Sequence, residues 1–300
     1  MSDLELIEKI KKLKKEKNAI ILAHNYQIDE IQDIADYTGD SLELAKKANN
    51  IKEDLIVFCG VYFMAETAKI LNPKKTVLIP DDEAGCPMAD MIDSNKLISL
   101  KDKYPGYKVV CYVNSTAEVK AYSDITCTSA NAIDIVNNLE SNNIIFIPDK
   151  HLGSYVKEHS NKNIILYNGF CPTHVRIKIE HLKELREKYP DAILITHPEC
   201  PKEIRDFSDK VLSTGQMVKF VKESNKKDFI IGTEIGMVYR LQTDNPNKNI
   251  LKINDVATCP NMKKNDLGKL YLTLKNNQFE VKVDPEISKK AYQSIKKMIG

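Results

Sequence analysis

The sequence predicts an α/β protein: three homologous α/β/α units, each with a small parallel sheet, arranged about a pseudo-threefold axis. Three observations carry this reading. Short Val/Ile/Leu-rich runs alternate with charged amphipathic stretches along the chain, the pattern of βα units whose strands are buried on both faces. Four landmarks recur three times, in the same order, at a period of about 86 residues. The 300 residues, 42% of them hydrophobic and 29% charged, supply the apolar material for a large core.

The elements follow in order. Residues 2–17, SDLELIEKIKKLKKEK, form an amphipathic helix with Ser2 as N-cap and Leu6, Ile7, Ile10 and Leu13 on one face. The acidic residues in it argue against a targeting peptide. The first strand of each unit is AIILA (19–23), KVVC (108–111) or ILIT (193–196), and each ends in a polar triplet: His24-Asn25-Tyr26, Tyr112-Val113-Asn114 and His197-Pro198-Glu199. The first residues of these triplets are 88 and 85 positions apart. A hydroxyl residue then opens a helix, at Ser41, at Ser129 and at Ser213-Thr214, with the same intervals from 41 to 129 to 214. The next strands are LIVFCG (55–60), IIFIPD (144–149) and FIIGTE (229–234), and KTVLIP (75–80) is the last strand of the first unit. Each unit closes on a Cys-Pro loop, at Cys86, Cys171 and Cys259, 85 and 88 residues apart. Unit boundaries are drawn at 1–105, 106–190 and 191–300, with an extra helix at each end.

Three cysteines on equivalent loops face one axis, and no fourth cysteine is equivalent to them. That is the donor set of a metal site with an open position, because structural sites are closed by four ligands. Thiolates select zinc or an iron–sulfur cluster. Both stay open at this stage, as does a reading in which the Cys-Pro pairs are merely small buried hydrophobes. Cys59, Cys111, Cys127 and Cys200 fall outside the pattern and are expected in the core.

Ligands of open α/β sheets bind at the carboxyl ends of strands, where His24, Tyr26, Tyr112, Asn114, His197 and Glu199 all fall. Ser41, Ser129, Ser213 and Thr214 read as N-caps that can double as anion sockets. Glu199 is the only carboxylate of the triplets and so the natural general acid or base. Glu234, in GTEIGM, is a weaker site candidate. His174, three residues after Cys171, is a candidate support for the metal group, but it is expected, like His181, on a helix surface, and the Lys263-Lys264 run on a solvated face.

Charge and hydropathy exclude some functions. Lys+Arg 44 against Asp+Glu 42 leaves +2, no global field for nucleic acid or an anionic membrane. No apolar run approaches the roughly 20 residues of a membrane span. Seven cysteines without a leader fit a cytoplasmic protein with metal or redox chemistry.

The motifs ILAHNYQ (21–27), GDSLELA (39–45), YVNSTAEVKAYSDITCTSAN (112–131), HPEC (197–200), STGQM (213–217) and GTEIGM (232–237), with the three Cys-Pro loops, resemble the quinolinate synthase family over nearly the whole chain. The resemblance implies one oxygen-sensitive [4Fe–4S] cluster per chain, ligated by Cys86, Cys171 and Cys259. It implies condensation of iminosuccinate with dihydroxyacetone phosphate to quinolinate, phosphate and water, in de novo NAD biosynthesis. It implies that Tyr26, Tyr112 and Glu199 are catalytic. It further implies that His24, Ser41, Tyr112, Val113, Asn114, Ser129, His197, Pro198, Glu199, Ser213 and Thr214 bind substrate. L-aspartate oxidase, source of the unstable imine, is the implied transient partner. One departure stands out. Some members carry a C-x-x-C pair proposed as a redox switch, and here Cys200 is followed by Pro201-Lys202-Glu203.

Two other readings compete at this stage. One keeps the cluster but makes the chain a hydro-lyase acting on a small hydroxy acid. The other is a metal- or redox-sensing module, which leaves the acid–base triplets without a task.

Overall fold

The computed structural model describes residues 2–300. Helix α1 (Asp3–Glu16) leads into β1 (Ala19–His24), α2 (Asp29–Ile34), β2 (Tyr37–Gly39), α3 (Ser41–Asn49), β3 (Leu55–Cys59), α4 (Tyr62–Leu71) and β4 (Thr76–Leu78). The same series repeats as α5 (Ser94–Lys103), β5 (Lys108–Tyr112), α6 (Ala117–Ala121), β6 (Ile125–Cys127), α7 (Ala132–Asn138), β7 (Asn143–Ile147), α8 (Lys150–Glu158) and β8 (Asn163–Leu166). It repeats again as α9 (Ile179–Lys188), β9 (Ile193–Thr196), α10 (Lys202–Asp206), β10 (Lys210–Val211), α11 (Thr214–Glu223), β11 (Asp228–Gly232), α12 (Gly236–Asp244) and β12 (Asn249–Lys252). Each set of four strands makes its own sheet, ordered second, first, third, fourth. Within the sheets all the named strands run parallel. The sheets and their helices are the units spoken of below.

Strand alternation explains how the units join. In β1, Ile20 and Leu22 face inward while Ile21 and Ala23 face outward. The inward faces of all three sheets merge into one core, through Ile20, Phe146 and Ile231 among others. The outward faces build three separate clusters, one per unit. Continuous apolar strands are therefore required, since both faces are covered.

A carboxylate recurs at one place in every sheet. Asp36, Asp124 and Asp209 accept the backbone amides of Ile21, Val109 and Leu194 at 2.8, 2.9 and 2.8 Å. Each also pairs with a cation, Lys14, Lys108 or Arg186. The aspartates are 88 and 85 residues apart, so they belong to the repeat as firmly as the cysteines do.

The ends clasp the body. Ser2 caps α1 with a full capping box to Glu5, and Ile10 packs with Leu267, Leu270 and Leu274 of α13 (Leu267–Asn276) on the outer face of the first sheet. Residues 279–281 then run antiparallel beside β4, with Ile79 N donating to Phe279 O and Val281 N to Val77 O. Helix α14 (Pro285–Ile299) starts from an Asp284 cap with Pro at its first position. It crosses the second unit, where Ser294 Oγ donates to Lys120 O at 2.9 Å. No helix among the described residues is long and apolar enough to cross a membrane.

Candidate functional site

Three loops build the first half of the site. Beyond β4, β8 and β12, each Cys-Pro pair opens a tight turn in which the cysteine carbonyl accepts the amide four residues on: Asp90, Val175 and Lys263, at 3.2–3.3 Å. A single 3₁₀ turn follows in each case, at Ala89–Met91, His174–Arg176 and Met262–Lys264. The amides of Ala89, His174 and Met262 thereby face the sulfurs of Cys86, Cys171 and Cys259. Burial outweighs these donors. The Cys86 thiol is pushed up to about 12, and Cys171 and Cys259 are raised for the same first reason. Buried thiols resist ionisation until a cationic group shares them.

The three cysteines and their prolines line one cavity of about 110 Å³. Among the described residues, one group of His, Cys, Asp or Glu side chains has its ligand atoms within 4.8 Å of one another: Cys171, His174 and Glu199. At least one pair among the three sulfurs therefore stands farther apart than that. Sulfur ligands of a tetrahedral zinc at about 2.3 Å stand less than about 4 Å apart. The triad suits a larger polynuclear group, and the cavity holds no fourth cysteine, which leaves one coordination position for something other than the protein.

A smaller chamber of about 40 Å³ adjoins it, lined by His24, Ser41, Tyr112, Ser129, His197 and Thr214, with Asp40 and Thr128 beside them. Tyr26, Asn114 and Glu199 line both spaces. These are the third residues of the three triplets, equivalent positions of one repeat. Two buried acceptors in this wall lack any protein partner: Asn114 Oδ1 and Glu199 Oε1.

Hydrogen bonds fix which way the wall donates. His24 Nδ1 accepts the Tyr26 amide at 3.1 Å, so in the neutral ring the Nε2 hydrogen is free. Burial first, then the neighbouring His197, lowers His24 to about 3, so the neutral ring is the resident form. His197 repeats the arrangement, with Nδ1 3.3 Å from the Glu199 amide and Nε2 3.2 Å from Ser129 Oγ. Thr214 Oγ1 accepts from Asn25 Nδ2 at 3.0 Å, which leaves the threonine hydrogen to donate elsewhere. The chamber is a set of hydroxyl and imidazole donors, suited to carboxylate groups.

A second chain of bonds runs behind it. Tyr26 OH lies 2.6 Å from Thr233 Oγ1, Thr233 Oγ1 lies 2.8 Å from His174 Nε2, and His174 Nδ1 lies 3.1 Å from Glu199 Oε2. Burial lowers His174 to about 4, so its ring carries one hydrogen. With that hydrogen on Nδ1, every link donates in the same direction, from phenol to carboxylate. Burial opposes ionisation of Glu199, but His174, His197 and Tyr112 outweigh it and hold the carboxyl at about 2. Burial and the Glu199 charge raise Tyr26 well above its ordinary value. The pair is a phenol that keeps its proton and a carboxylate ready to take one.

The placements differ from expectation at several residues. His174 is buried beside Cys171, 3.1 Å from its sulfur, because its turn faces inward. Lys263 is no solvated lysine: its Nζ donates to Tyr26 O at 2.6 Å and pairs with Glu234 at 3.0 Å. Ser41 is the first residue of α3, whose cap is Asp40. Ser129 lies three residues before α7, and Asn131 holds its cap position. Ser213 does cap α11, accepting from Gln216 N, and with Val113 and Pro198 it lies behind the chamber wall. Glu234 is fully buried and accepts the Cys259 amide at 3.0 Å. Asp149, at the equivalent position after β7, is fully buried and caps α8, its Oδ1 accepting from His151 N and Leu152 N at 2.7 Å. Sequence reasoning passed over Thr233 and Asp149, although their places after β11 and β7 are fixed by the repeat. Cys59, Cys111, Cys127 and Cys200 lie in the core as expected.

The chain matches the family model described as Quinolinate synthetase A protein over residues 8–300. It is 54% identical over 296 residues to a quinolinate synthase of Dehalococcoides mccartyi (strain ATCC BAA-2266 / KCTC 15142 / 195), covering 98% of each chain. It is 51% identical over 294 residues to that of Thermodesulfovibrio yellowstonii, covering 98% of this chain and 97% of the relative. It is 51% identical over 297 residues to that of Clostridioides difficile (strain 630), covering 99% and 98%. Three cysteine turns on one cavity, a donor-lined chamber beside it and likeness along the full length agree: this chain is an enzyme and belongs to the quinolinate synthase family.

Proposed function

We propose that the chain is a transferase that condenses iminosuccinate with dihydroxyacetone phosphate, releasing quinolinate, phosphate and water. The reading includes a [4Fe–4S] cluster on Cys86, Cys171 and Cys259, within de novo NAD biosynthesis. The observation that carries it is that Tyr26, Asn114 and Glu199 line the thiol cavity and the donor chamber alike. Whatever sits on the cysteines therefore faces whatever the donors hold. When bound, the cluster supplies a Lewis acid at the iron without a cysteine, suited to loss of a hydroxyl as water.

The chain's own residues do the rest. His24, Ser41, Ser129, His197 and Thr214 present donors to the two carboxylates of iminosuccinate, and Asn114 and Tyr112 close the chamber around it. Glu199, ionised and with one oxygen free, takes the proton from the carbon that attacks as phosphate leaves. The keto–aldo isomerisation and ring closure need a proton returned elsewhere on the molecule. The Tyr26–Thr233–His174–Glu199 chain connects the two sides of the substrate for that purpose. Val113, Pro198 and Ser213 hold the wall from behind. The reaction belongs in the cytoplasm, with L-aspartate oxidase handing over its imine in a transient contact.

The test is direct. Protein purified without oxygen and loaded with iron and sulfide is given iminosuccinate and dihydroxyacetone phosphate, and quinolinate is measured by mass. Stoichiometric quinolinate and phosphate support the reading. Dehydration of hydroxy acids without any triose phosphate, and no quinolinate, replaces it with the hydro-lyase.

A further inference from the structure

Three buried donors stand on the short helices α2, α6 and α10: Gln32, Lys120 and Arg205. They are 88 and 85 residues apart, in step with the repeat. Each reaches out of its own unit to the first two turns of a helix in another. Gln32 Nε2 donates to Gly236 O of α12 at 3.0 Å. Arg205 Nη1 donates to His151 O of α8 at 2.6 Å. Lys120 Nζ donates to Thr67 Oγ1 at 3.1 Å and Phe63 O at 3.4 Å, both on α4. The first unit thus grips the third, the third grips the second, and the second grips the first. The ring is closed.

Two of these side chains also turn inward. Gln32 Nε2 donates to Asn25 O at 3.2 Å and Gln27 O at 2.9 Å, the carbonyls on either side of Tyr26. Arg205 Nη1 donates to Pro198 O at 3.4 Å and Cys200 O at 3.3 Å, the carbonyls on either side of Glu199. Its other end is anchored by Glu158 at 3.0 Å. Lys120 holds no such pair, because the loop at Asn114 is tied internally, with Ser115 Oγ donating to Tyr112 O at 3.0 Å. The fit at Gln32 is close: a Cβ at Gly236 would stand 2.9 Å from Gln27 O and from the Tyr26 carbonyl carbon. An apolar side chain would fill these interiors at less desolvation cost. What the donors add is registration of a short loop against a neighbouring unit.

We propose that Arg205 positions Glu199, and Gln32 positions Tyr26, each by clamping the flanking carbonyls to the opening turn of a helix in the adjoining unit. The proposal rests on Glu199 and Tyr26 being the proton-transfer pair described above. In cluster-loaded protein, Arg205→Gln lowers kcat about 10- to 100-fold, since a shift of about 1 Å in a reacting group costs that much. KM for the two substrates stays within about threefold, as expected when binding groups are untouched. Iron and sulfide content is unchanged. Arg205→Lys, which keeps a cation able to reach one carbonyl, recovers part of the rate.

Double variants separate positioning from general damage. Arg205→Gln combined with Glu199→Gln is no slower than Glu199→Gln alone, because one residue acts through the other. Gln32→Met with Tyr26→Phe behaves the same way. A wild-type kcat in Arg205→Gln, or losses that multiply in the double variants, overturns the proposal. Should Arg205→Gln fail to fold, amide hydrogen exchange at residues 197–200 in Arg205→Lys decides: faster exchange supports the clamp and unchanged exchange overturns it. Full activity in Glu199→Gln itself would show that the catalytic pair, not the clamp, has been misassigned.

Discussion

His174 Nδ1 lies 3.1 Å from Glu199 Oε2, and both side chains are sealed from water. Through Thr233 this contact joins the carboxylate to Tyr26 on the far side of the chamber. Thr233→Val removes the middle hydroxyl at nearly constant volume. We expect kcat to fall about 10²-fold, the lower end of what a positioned proton carrier contributes, with iron content unchanged and stability lower by about 1–3 kcal/mol for the stranded Tyr26 and His174 groups. Thr233→Ser should restore most of the rate. A Val variant with wild-type kcat would show that protons travel by another route.

Glu199→Gln preserves shape and removes the charge. Its expected loss is about 10²–10⁴-fold in kcat, at unchanged binding of the cluster. The measurement is quinolinate formation over a range of both substrates, so that kcat and KM are separated.

Glu234 is predicted to act on the metal ligand. It accepts the Cys259 amide at 3.0 Å and the Gly236 amide at 2.7 Å. Glu234→Ala should weaken retention of iron about 10- to 100-fold, the usual consequence of losing a group that orients a ligand. Glu234→Gln, which keeps one acceptor, should lose less. Iron remaining after timed exposure to a chelator, without oxygen, distinguishes them.

The repeated aspartates should behave alike. Asp36→Ala, Asp124→Ala and Asp209→Ala each strand a strand amide that is otherwise bonded at 2.8–2.9 Å. Each should cost about 1–3 kcal/mol, read by urea unfolding of the cluster-free protein. Three closely similar values are expected, and widely unequal ones would show that the sheets do not share this device.

Lys120 gives a pH signature. Burial first, with partial relief from Glu66, lowers it from 10.5 to about 8. Between those values the unfolded chain holds a proton that the folded chain does not, so stability from this residue rises with pH. The penalty is complete below about 8 and gone above about 10.5. Wild type should therefore gain stability relative to Lys120→Met across that window. Parallel curves for the two proteins would place the Lys120 value near its ordinary one.

Much of this was legible in the sequence because the repeat is arithmetic. Cys86, Cys171 and Cys259 could be placed together from spacing alone, and so could His24, Tyr112 and His197. What escaped were residues whose role depends on which way a turn faces. His174 follows Cys171 by three positions, as Ala89 follows Cys86, and nothing in its neighbours tells that the 3₁₀ turn points it at the thiol. Ser41 and Asp40 compete for one cap, and the carboxylate wins because its Oδ1 reaches two amides, those of Leu42 and Glu43. Lys263 looked like half of a basic pair, yet its partner Glu234 is buried, which draws the ammonium inward. Asp36, Asp124 and Asp209 were readable at the same intervals and were missed because their partners are a strand amide and a nearby cation, far from any site.

The clasp made by α13 and α14 sets an order of birth. The outer face of the first sheet needs Leu267, Leu270 and Leu274 to cover it, and these are synthesised after all twelve strands. Cys259 comes late as well. The first unit thus emerges from the ribosome with an apolar flank exposed, and it keeps that exposure while the other two units are made. A truncation that spares every cysteine but removes α13 should therefore yield an aggregating protein, rather than a soluble one lacking only its last helices.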